Sequence, residues 1–224
     1  MNLVISDLEK ASSVSELKTP ATGLVFFDLE EMVKNDHRYG VCAPKRVYQA
    51  INILKQDEVQ LSVPLVSHND ETATLSGTAI FSKDKMIGSL TQNETTYMLM
   101  LQNYLKKAYI PLEKYNMTFE ILKSDTKVKL LPDSKLSVLL ELDAVLVQNK
   151  TYDYDYDLQV LSNELSDAVK QSCNQLIEKA KKWNTDIFGF GQAVENEELL
   201  SHDFASLPIQ IQCKVNMKLG EMHQ

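Results

Sequence analysis

The sequence predicts an α+β fold in which an antiparallel β-sheet packs against long α-helices, with a smaller helical segment before it. Three observations lead to this prediction. Residues 207–219 alternate apolar and polar side chains without a break, as a half-buried strand does. Residues 158–183 carry apolar side chains at helical spacing. Between residues 119 and 146, short alternating runs are separated by polar breaks, which is typical of a strand meander.

Helical patterning dominates the chain before residue 76. Apolar residues recur at helical spacing in residues 3–17, 24–33 and 44–54, and Pro44 suits a first helical turn, where its missing N–H costs nothing. We therefore predict a partial middle domain, mixed but mostly helical, at residues 1–75, and an α+β domain at residues 76–224.

One strand is predicted within this first part. Apolar residues fall at every second position from Val59 to Leu65, and Pro64 lies between two of them. Because proline cannot donate to a strand ladder, the pattern favours an edge strand. The polar residues 68–72 that follow favour a loop.

A β-hairpin is predicted at the start of the second part. Two runs of strand-forming residues, 78–81 and 86–90, flank a polar centre at residues 82–85. Gly77 and Gly88 lie in strand positions, where a missing side chain usually marks a bulge or a close approach of two backbones.

A capped helix should follow the hairpin. Thr91 and Glu94 have the spacing of a capping box, in which the threonine hydroxyl accepts from the N3 amide and the glutamate accepts from the cap amide. We predict a helix at residues 92–109, which Pro111 ends. Its predicted buried face consists of Tyr97, Met98, Leu101, Tyr104, Leu105 and Ala108.

Three strands of a meander are predicted next, at residues 119–121, 128–130 and 138–146. Polar residues at 123–126 and turn-forming residues at 132–134 separate them. Short connections of this kind join antiparallel strands.

The long helix is predicted at residues 158–183, with Asp157 as its N-cap. Lysines cluster near its C-terminus, where positive charge is favoured by the helix dipole. The last strand, at residues 207–219, has one apolar face. We expect the apolar side of the helix to pack on a sheet. The apolar helix positions are Leu161, Leu165, Ala168, Val169, Cys173, Leu176, Ile177 and Ala180.

Composition argues against several classes of function. The net charge is -8, so the chain lacks the basic surface that nucleic-acid binding requires. Its seven glycines are scattered, and neither a G-x-G-x-x-G nor a G-x-x-x-x-G-K-[ST] motif is present, which argues against nucleotide binding. Neither a secretory signal nor an apolar run long enough to span a membrane is found, so we expect the chain as written to be soluble.

No side chain has the sequence context of a reactive group. Cys173 and Cys213 lie on predicted apolar faces, which favours buried structural thiols, and Cys42 is the cysteine in a predicted loop. The glycines of Gly189-Phe190-Gly191 favour a turn after the long helix rather than a ligand-binding loop. The histidines, without an H-E-x-x-H or a G-x-S-x-G motif, are His37, His68, His202 and His223. We therefore predict no catalytic residue, cofactor site or metal centre, and no enzyme activity.

A weak calcium-binding pattern precedes the long helix. Asp153, Asp155, Asp157 and Glu164 fall at positions 1, 3, 5 and 12 of an EF-hand loop. Leu158 occupies position 6, where the loop requires glycine. Carboxylates before a helix also favour its positive N-terminal end, and we prefer this structural interpretation. A calcium-binding or small-molecule-binding module stays open as an alternative.

Two motifs and the order of the elements resemble a known family. The motifs are SGTAIFSKDKMIGSL at residues 76–90, followed by Glu94-Thr95, and WNTDIFGFG at residues 183–191. Together with the order of hairpin, capped helix, meander, long helix and terminal strand, they resemble the C-terminal half of the C-subunit lipoproteins of bacterial spore germinant receptors, the GerAC-like family. Residues 24–66 also resemble the family's middle region.

The resemblance implies a non-catalytic subunit of a nutrient germinant receptor, acting in receptor assembly and germination signalling through protein contacts. It also implies two integral membrane partners, the A and B subunits, and a lipid anchor on the outer face of the spore inner membrane. The family's N-terminal domain and its lipid-attached cysteine have no counterpart here, so we expect Met1 to begin a shortened form of a longer parent. A hydrolase or transferase is the rival class, and the lack of a recognisable nucleophile and base argues against it.

Overall fold

The chain is α+β, as predicted, with sheets and helices in the described part. It divides into two compact units, Met1–Thr96 and Tyr97–Gln224. The domain limits expected from the sequence, 1–75 and 76–224, stay a prediction. The structure is a computed structural model that describes residues 2–3, 5–6, 40, 45–46, 60–68, 73–149, 157–194 and 204–218.

The described part of the first unit is mainly β-structure. β1 pairs with β3 antiparallel, and the second sheet has the order β2-β4-β5-β6, in which β2 pairs with β4 in parallel. The strands are β1 (Asn2–Leu3), β2 (Ile5–Ser6), β3 (Lys45–Arg46), β4 (Leu61–His68), β5 (Ala73–Ser82) and β6 (Lys85–Thr91).

The prediction of helices at residues 3–17 and 44–54 is wrong at the residues that form β1, β2 and β3. Short apolar runs fit the period of a helix or of a strand, and pairing with a neighbouring strand decides between them. The remainder of both ranges, and the helix predicted at residues 24–33, lie outside the described residues.

β4 confirms the predicted strand but not its place at a sheet edge, because it lies between β2 and β5. β2 pairs only with Leu65 and Val66. Pro64 therefore has a described ladder partner on one side alone, Thr78 of β5, which explains why a proline is tolerated there. His68 belongs to β4 rather than to the predicted loop, and residues 69–72 lie outside the described part.

The predicted hairpin is confirmed in β5 and β6, which pair antiparallel. Lys83 begins the turn with a φ of 54°, the positive value that a tight hairpin turn requires. Gly77 has a φ of 141°, and a Cβ added there would lie 1.9 Å from the carbonyl oxygen of Leu90. This is the close backbone approach expected of a strand glycine. Gly88, paired with Ile80, lies next to the shift in register expected of a bulge.

The capping box is confirmed at the start of α1 (Gln92–Leu101). The Glu94 amide donates to Oγ1 of Thr91 at 3.2 Å, and the Thr91 amide donates to Oε2 of Glu94 at 2.8 Å. Both bonds satisfy main-chain donors that have no partner inside the helix.

The end of α1 differs from the prediction, because the helix stops at Leu101 and not near residue 109. Asn103 takes a left-handed φ of 59°. Its amide donates to the carbonyl of Met100 at 2.9 Å, and the amide of Tyr104 donates to that of Leu99 at 2.8 Å. These two bonds form a Schellman motif, in which asparagine replaces the more usual glycine. Tyr104, predicted to be buried, is 62% exposed.

The second unit contains a sheet with the order β10-β9-β8-β7 in its described part. β7, β8 and β9 pair antiparallel, whereas β10 pairs with β9 in parallel, so the sheet is mixed rather than antiparallel throughout. The long helix lies between β9 and β10 in the sequence and provides the crossover that parallel neighbours need. The elements are β7 (Ala108–Leu112), β8 (Met117–Leu130), β9 (Leu136–Asn149), α2 (Leu158–Lys182), α3 (Phe190–Ala193) and β10 (Ile209–Lys218).

Two sequence predictions about β7 and β8 are wrong. Pro111, expected to end a helix, lies in β7, the last described strand on its side of the sheet, where a missing N–H is tolerated. Residues 123–126, expected to separate two strands, belong to the continuous strand β8. Thr126 is held there because its hydroxyl donates to the carbonyl of Met100 at 2.6 Å.

The long helix α2 is confirmed, as is its cap, since Asp157 Oδ1 accepts from the amide of Gln159 at 2.8 Å. It packs against β10. The hydroxyl of Ser166 donates to the carbonyl of Cys213 at 2.7 Å, and that of Ser162 donates to the carbonyl of Val215. The buried α2 residues are Leu161, Ser162, Leu165, Val169, Cys173, Leu176, Ile177 and Ala180.

The two faces of this sheet differ sharply in burial. On the inner face, β9 contributes five fully buried apolar residues: Leu136, Val138, Leu140, Leu142 and Ala144. On the opposite face none of the corresponding β9 and β10 side chains is buried. We call this side the outer face; it comprises Ser137, Leu139, Glu141, Asp143 and Val145 of β9, Gln210, Gln212, Lys214, Asn216 and Lys218 of β10, and Glu120, Lys123, Asp125, Lys127 and Lys129 of β8.

Candidate functional site

The carboxylates of the calcium pattern have other contacts where they are described. Asp157 caps α2, and Glu164 Oε1 accepts from Lys114 Nζ at 2.6 Å and from the Tyr115 hydroxyl at 3.2 Å. The neighbouring Lys114 lowers the pKa of Glu164. Asp153 and Asp155 lie outside the described residues, within which no group of histidine, cysteine, aspartate and glutamate is arranged to hold a metal ion.

The absence of a calcium site therefore stays a prediction, supported by the two contacts at Asp157 and Glu164. An ion that bound only the folded chain would stabilise it by mass action. We expect the melting temperature to be the same with calcium and with a chelator. A rise that disappears in Asp153→Asn with Asp155→Asn would contradict this.

The two described thiols lie on buried surfaces and are not activated. Cys173 is fully buried in α2 and Cys213 is half-buried in β10. Burial raises the pKa of Cys213 to about 11 and raises that of Cys173 further, so both are protonated at neutral pH. Cys42 and three of the predicted loop histidines, His37, His202 and His223, lie outside the described residues; His68 ends β4.

A turn after α2 contains a carboxylate that sequence reasoning missed. We call residues 183–191 the Asp186 turn. Asp186 Oδ1 accepts from the amides of Phe188 at 3.1 Å and Gly189 at 3.0 Å, and Oδ2 accepts from the amide of Gly191 at 2.9 Å. Burial raises the pKa of Asp186, although the amide bonds oppose this shift. An aspartate that bonds to amides two and three residues ahead is a known turn signal, and it was present in the sequence.

Contacts from two other segments hold the Asp186 turn. The Phe188 ring stacks on Phe190 with 5.0 Å between centroids, and it lies 6.2 Å from the ring of Phe204. Gln102 Nε2 donates to the carbonyl of Ile187 at 2.7 Å. Gly189 has a φ of 74°, in agreement with the predicted turn. The carboxylate thus organises the main-chain amides of the turn.

The described hydroxyls near these groups are also engaged in structure. Ser162 and Ser166 donate to carbonyls of β10. Tyr97 is largely buried, and burial raises the pKa of its hydroxyl. Among the described helices, none combines the length and the apolar content needed to cross a membrane.

Comparison with known proteins gives two matches. A family model described as "Spore germination B3/ GerAC like, C-terminal" matches residues 76–220. A solved structure described as "Crystal Structure of the GerBC protein" is similar with a TM-score of 0.68, at 17% sequence identity, over 78% of this chain. At this identity the likeness shows the fold. The chain spans 61% of that structure's length. No curated protein matches the sequence.

The family match contains both motifs that the sequence analysis singled out. It begins at Ser76, where the hairpin motif begins, and it continues through the Asp186 turn to the end of β10. Most of the structure described above, from Ser76 within β5 onward, therefore lies within the matched residues.

Proposed function

The chain belongs to the GerAC-like family of spore germination proteins, and from that membership we propose that it is the C subunit of a nutrient germinant receptor. The family match over residues 76–220 carries the proposal. The likeness in fold to the GerBC structure supports it. We propose that residues 76–224 form the family's C-terminal domain and residues 1–75 part of its middle domain.

We further propose that the subunit acts by contact and not by catalysis. The described thiols are protonated at neutral pH, and the partly buried carboxylate of Asp186 is occupied by main-chain amides. These groups support the structure, and none is paired as nucleophile and base. The partners that we propose are the integral membrane A and B subunits, which the full-length parent would meet at the outer face of the spore inner membrane through a lipid anchor.

Gene deletion tests this proposal. Spores that lack the gene should respond poorly to nutrients and normally to a trigger that bypasses nutrient receptors. Complementation with the intact gene is the control and should restore the nutrient response. The tagged protein should also co-purify with the two membrane subunits from detergent-solubilised membranes.

Two outcomes would contradict the proposal. Normal nutrient germination of the deletion strain, in a background without parallel receptors, would exclude a role in the receptor. Failure of the intact tagged protein to co-purify with any membrane subunit would exclude the contact mechanism.

A further inference from the structure

The outer face of the second unit's sheet is open, in contrast to the inner face. Leu139 and Val145 of β9 are only partly buried there, although they lie on an inner strand of the sheet. At the end of β9, Val147 is 46% exposed. A sheet face that carries apolar side chains needs a cover, and no described residue buries this one.

The charge of the outer face is opposite in sign to that of the whole chain. It carries five lysines, Lys123, Lys127, Lys129, Lys214 and Lys218, against four carboxylates, Glu120, Asp125, Glu141 and Asp143, which gives +1. The chain as a whole carries -8. An acidic partner is therefore attracted to this face, whereas the net charge of the whole chain repels it.

The carboxylates of the outer face are already paired. Lys127 lies 3.3 Å from Asp125 and also contacts Glu141, and Lys218 lies 2.9 Å from Asp143. At the margin, Glu120 pairs with Lys107. Lys123, Lys129 and Lys214 are exposed, and none of them has an ion pair among the described residues. The positive charge available to a partner therefore lies on these three lysines, of which Lys129 and Lys214 lie on opposite sides of Leu139.

The arrangement of the lysines fits the dimensions of a helix. They lie on β8 and β10, on either side of β9, so the two rows are about 10 Å apart. An α-helix with its side chains is about 10–12 Å wide. A helix that lies along β9 would place its apolar side on Leu139 and Val145 and direct acidic residues on its flanks to Lys129 and Lys214.

Other acidic partners fit this face less well. An anionic membrane surface or a nucleic acid would press phosphates against Asp125, Glu141 and Asp143, which lie among the lysines. A helix can place hydrogen-bond donors opposite these carboxylates while its own carboxylates reach the lysines. The alternation of charge along the face therefore favours a folded protein segment.

We propose that the outer face binds an acidic amphipathic helix of a partner protein, which lies along β9 and pairs with Lys129 and Lys214. The identity of the partner as a receptor subunit rests on the proposed function, but the chemistry of the surface does not.

Charge reversal tests the surface in the full-length protein in its own host. Lys129→Glu with Lys214→Glu should lower the membrane subunits recovered with the tagged protein about tenfold, the order expected when two exposed ion pairs become repulsive. Lys129→Arg with Lys214→Arg keeps the charge and should recover normal amounts. Lys170→Glu with Lys182→Glu makes the same change in charge on the exposed side of α2 and should leave recovery unchanged. Melting temperatures of all variants check folding.

A photo-crosslinking residue at position 139 tests the occupant directly. It should capture a peptide with acidic residues and apolar residues at helical spacing, whereas the same group at Gln171 on α2 should not. Recovery by the Lys129→Glu, Lys214→Glu variant equal to that of the intact protein would overturn the surface assignment. If the intact protein itself recovers no subunit, the proposed function fails instead.

Lipid is tested separately with vesicles of phosphatidylglycerol. We expect the purified chain not to sediment with them. Sedimentation that the two glutamate substitutions abolish, with recovery of subunits unchanged, would assign the face to a membrane surface and overturn the helix.

Discussion

Leu139 and Leu140 are adjacent leucines of β9 that face opposite sides of one sheet. Leu140 is fully buried on the inner face, whereas Leu139 lies partly exposed on the outer face among lysines and carboxylates. The residue type is the same, so the difference comes from what lies above each face. The buried side chains of the inner face stabilise the unit, whereas the side chains of the outer face stay accessible to a partner after folding. The predictions that follow test this division, from the largest expected effect to the smallest.

The largest effect is expected for Leu176→Asp, which places a charge on the buried side of α2. Leu176 is 2% exposed, and an unpaired carboxylate there has no compensating partner. We expect a loss of more than about 4 kcal/mol in the free energy of unfolding, enough to leave the chain largely unfolded. Circular dichroism during thermal melting measures it. A melting temperature within a few degrees of the parent would mean that this side of α2 is not core.

The paired substitutions Leu140→Ala and Leu139→Ala compare the two faces directly. Leu140→Ala should cost about 2–5 kcal/mol, because it leaves a cavity in a packed core. Leu139→Ala should cost less than about 1 kcal/mol. Urea unfolding, followed by the fluorescence of the single tryptophan, Trp183, measures both. Equal losses would show that the outer face is covered in solution.

Asp186→Ala should have an intermediate effect. It removes the acceptor of three main-chain amides in the Asp186 turn, which should cost about 1–3 kcal/mol. Asp186→Asn keeps an oxygen for the amides of Phe188 and Gly189 and should lose less. The same urea titration measures both variants. Stability of Asp186→Ala equal to that of the parent would show that the turn does not depend on the carboxylate.

The smallest effects concern two aspartates whose pKa values shift in opposite directions. Hydrogen bonds from Lys218, and to a smaller extent from Asn216, lower the pKa of Asp143 on the outer face. The contribution of Asp143 to stability is therefore present at neutral pH and is lost as the pH falls through its folded pKa. Burial raises the pKa of Asp186, so this group favours folding more as pH falls through its folded pKa. Carboxyl carbon chemical shifts should titrate below the ordinary range for Asp143 and above it for Asp186. The reverse order would contradict the assigned environments.

Local signals of short range predicted much of the fold. The capping box at Thr91 and Glu94 and the alternation of β10 depend on neighbouring residues, and both are confirmed. Gly77 was expected to allow a close backbone approach, and it does so at Leu90. These features need no knowledge of distant contacts.

The errors at Thr126, Pro111 and Asp186 have different physical causes. The polar residues up to Thr126 predict a break between two strands. The structure instead has one continuous strand, in which the Thr126 hydroxyl donates to the carbonyl of the distant residue Met100. The sequence predicts that the helix ends at Pro111, but it ends at Asn103. Asparagine is a weaker sequence signal for a helix C-terminus than glycine, so the earlier end was not predicted. Asp186 is an isolated carboxylate after α2 and matches no ligand spacing, whereas the run of aspartates before α2 matches part of an EF-hand loop.

Pro111 has a further consequence for how the molecule avoids its own copies. β7 is the last described strand on its side of the sheet, and a proline within it has no N–H to offer an incoming backbone. Any extended chain can add to an unprotected strand edge, because main-chain groups are the same in every protein. A sheet face is recognised through its particular side chains. Pro111 thus weakens one edge of the sheet as a site for strand addition, while the outer face keeps a surface that a selected partner can distinguish.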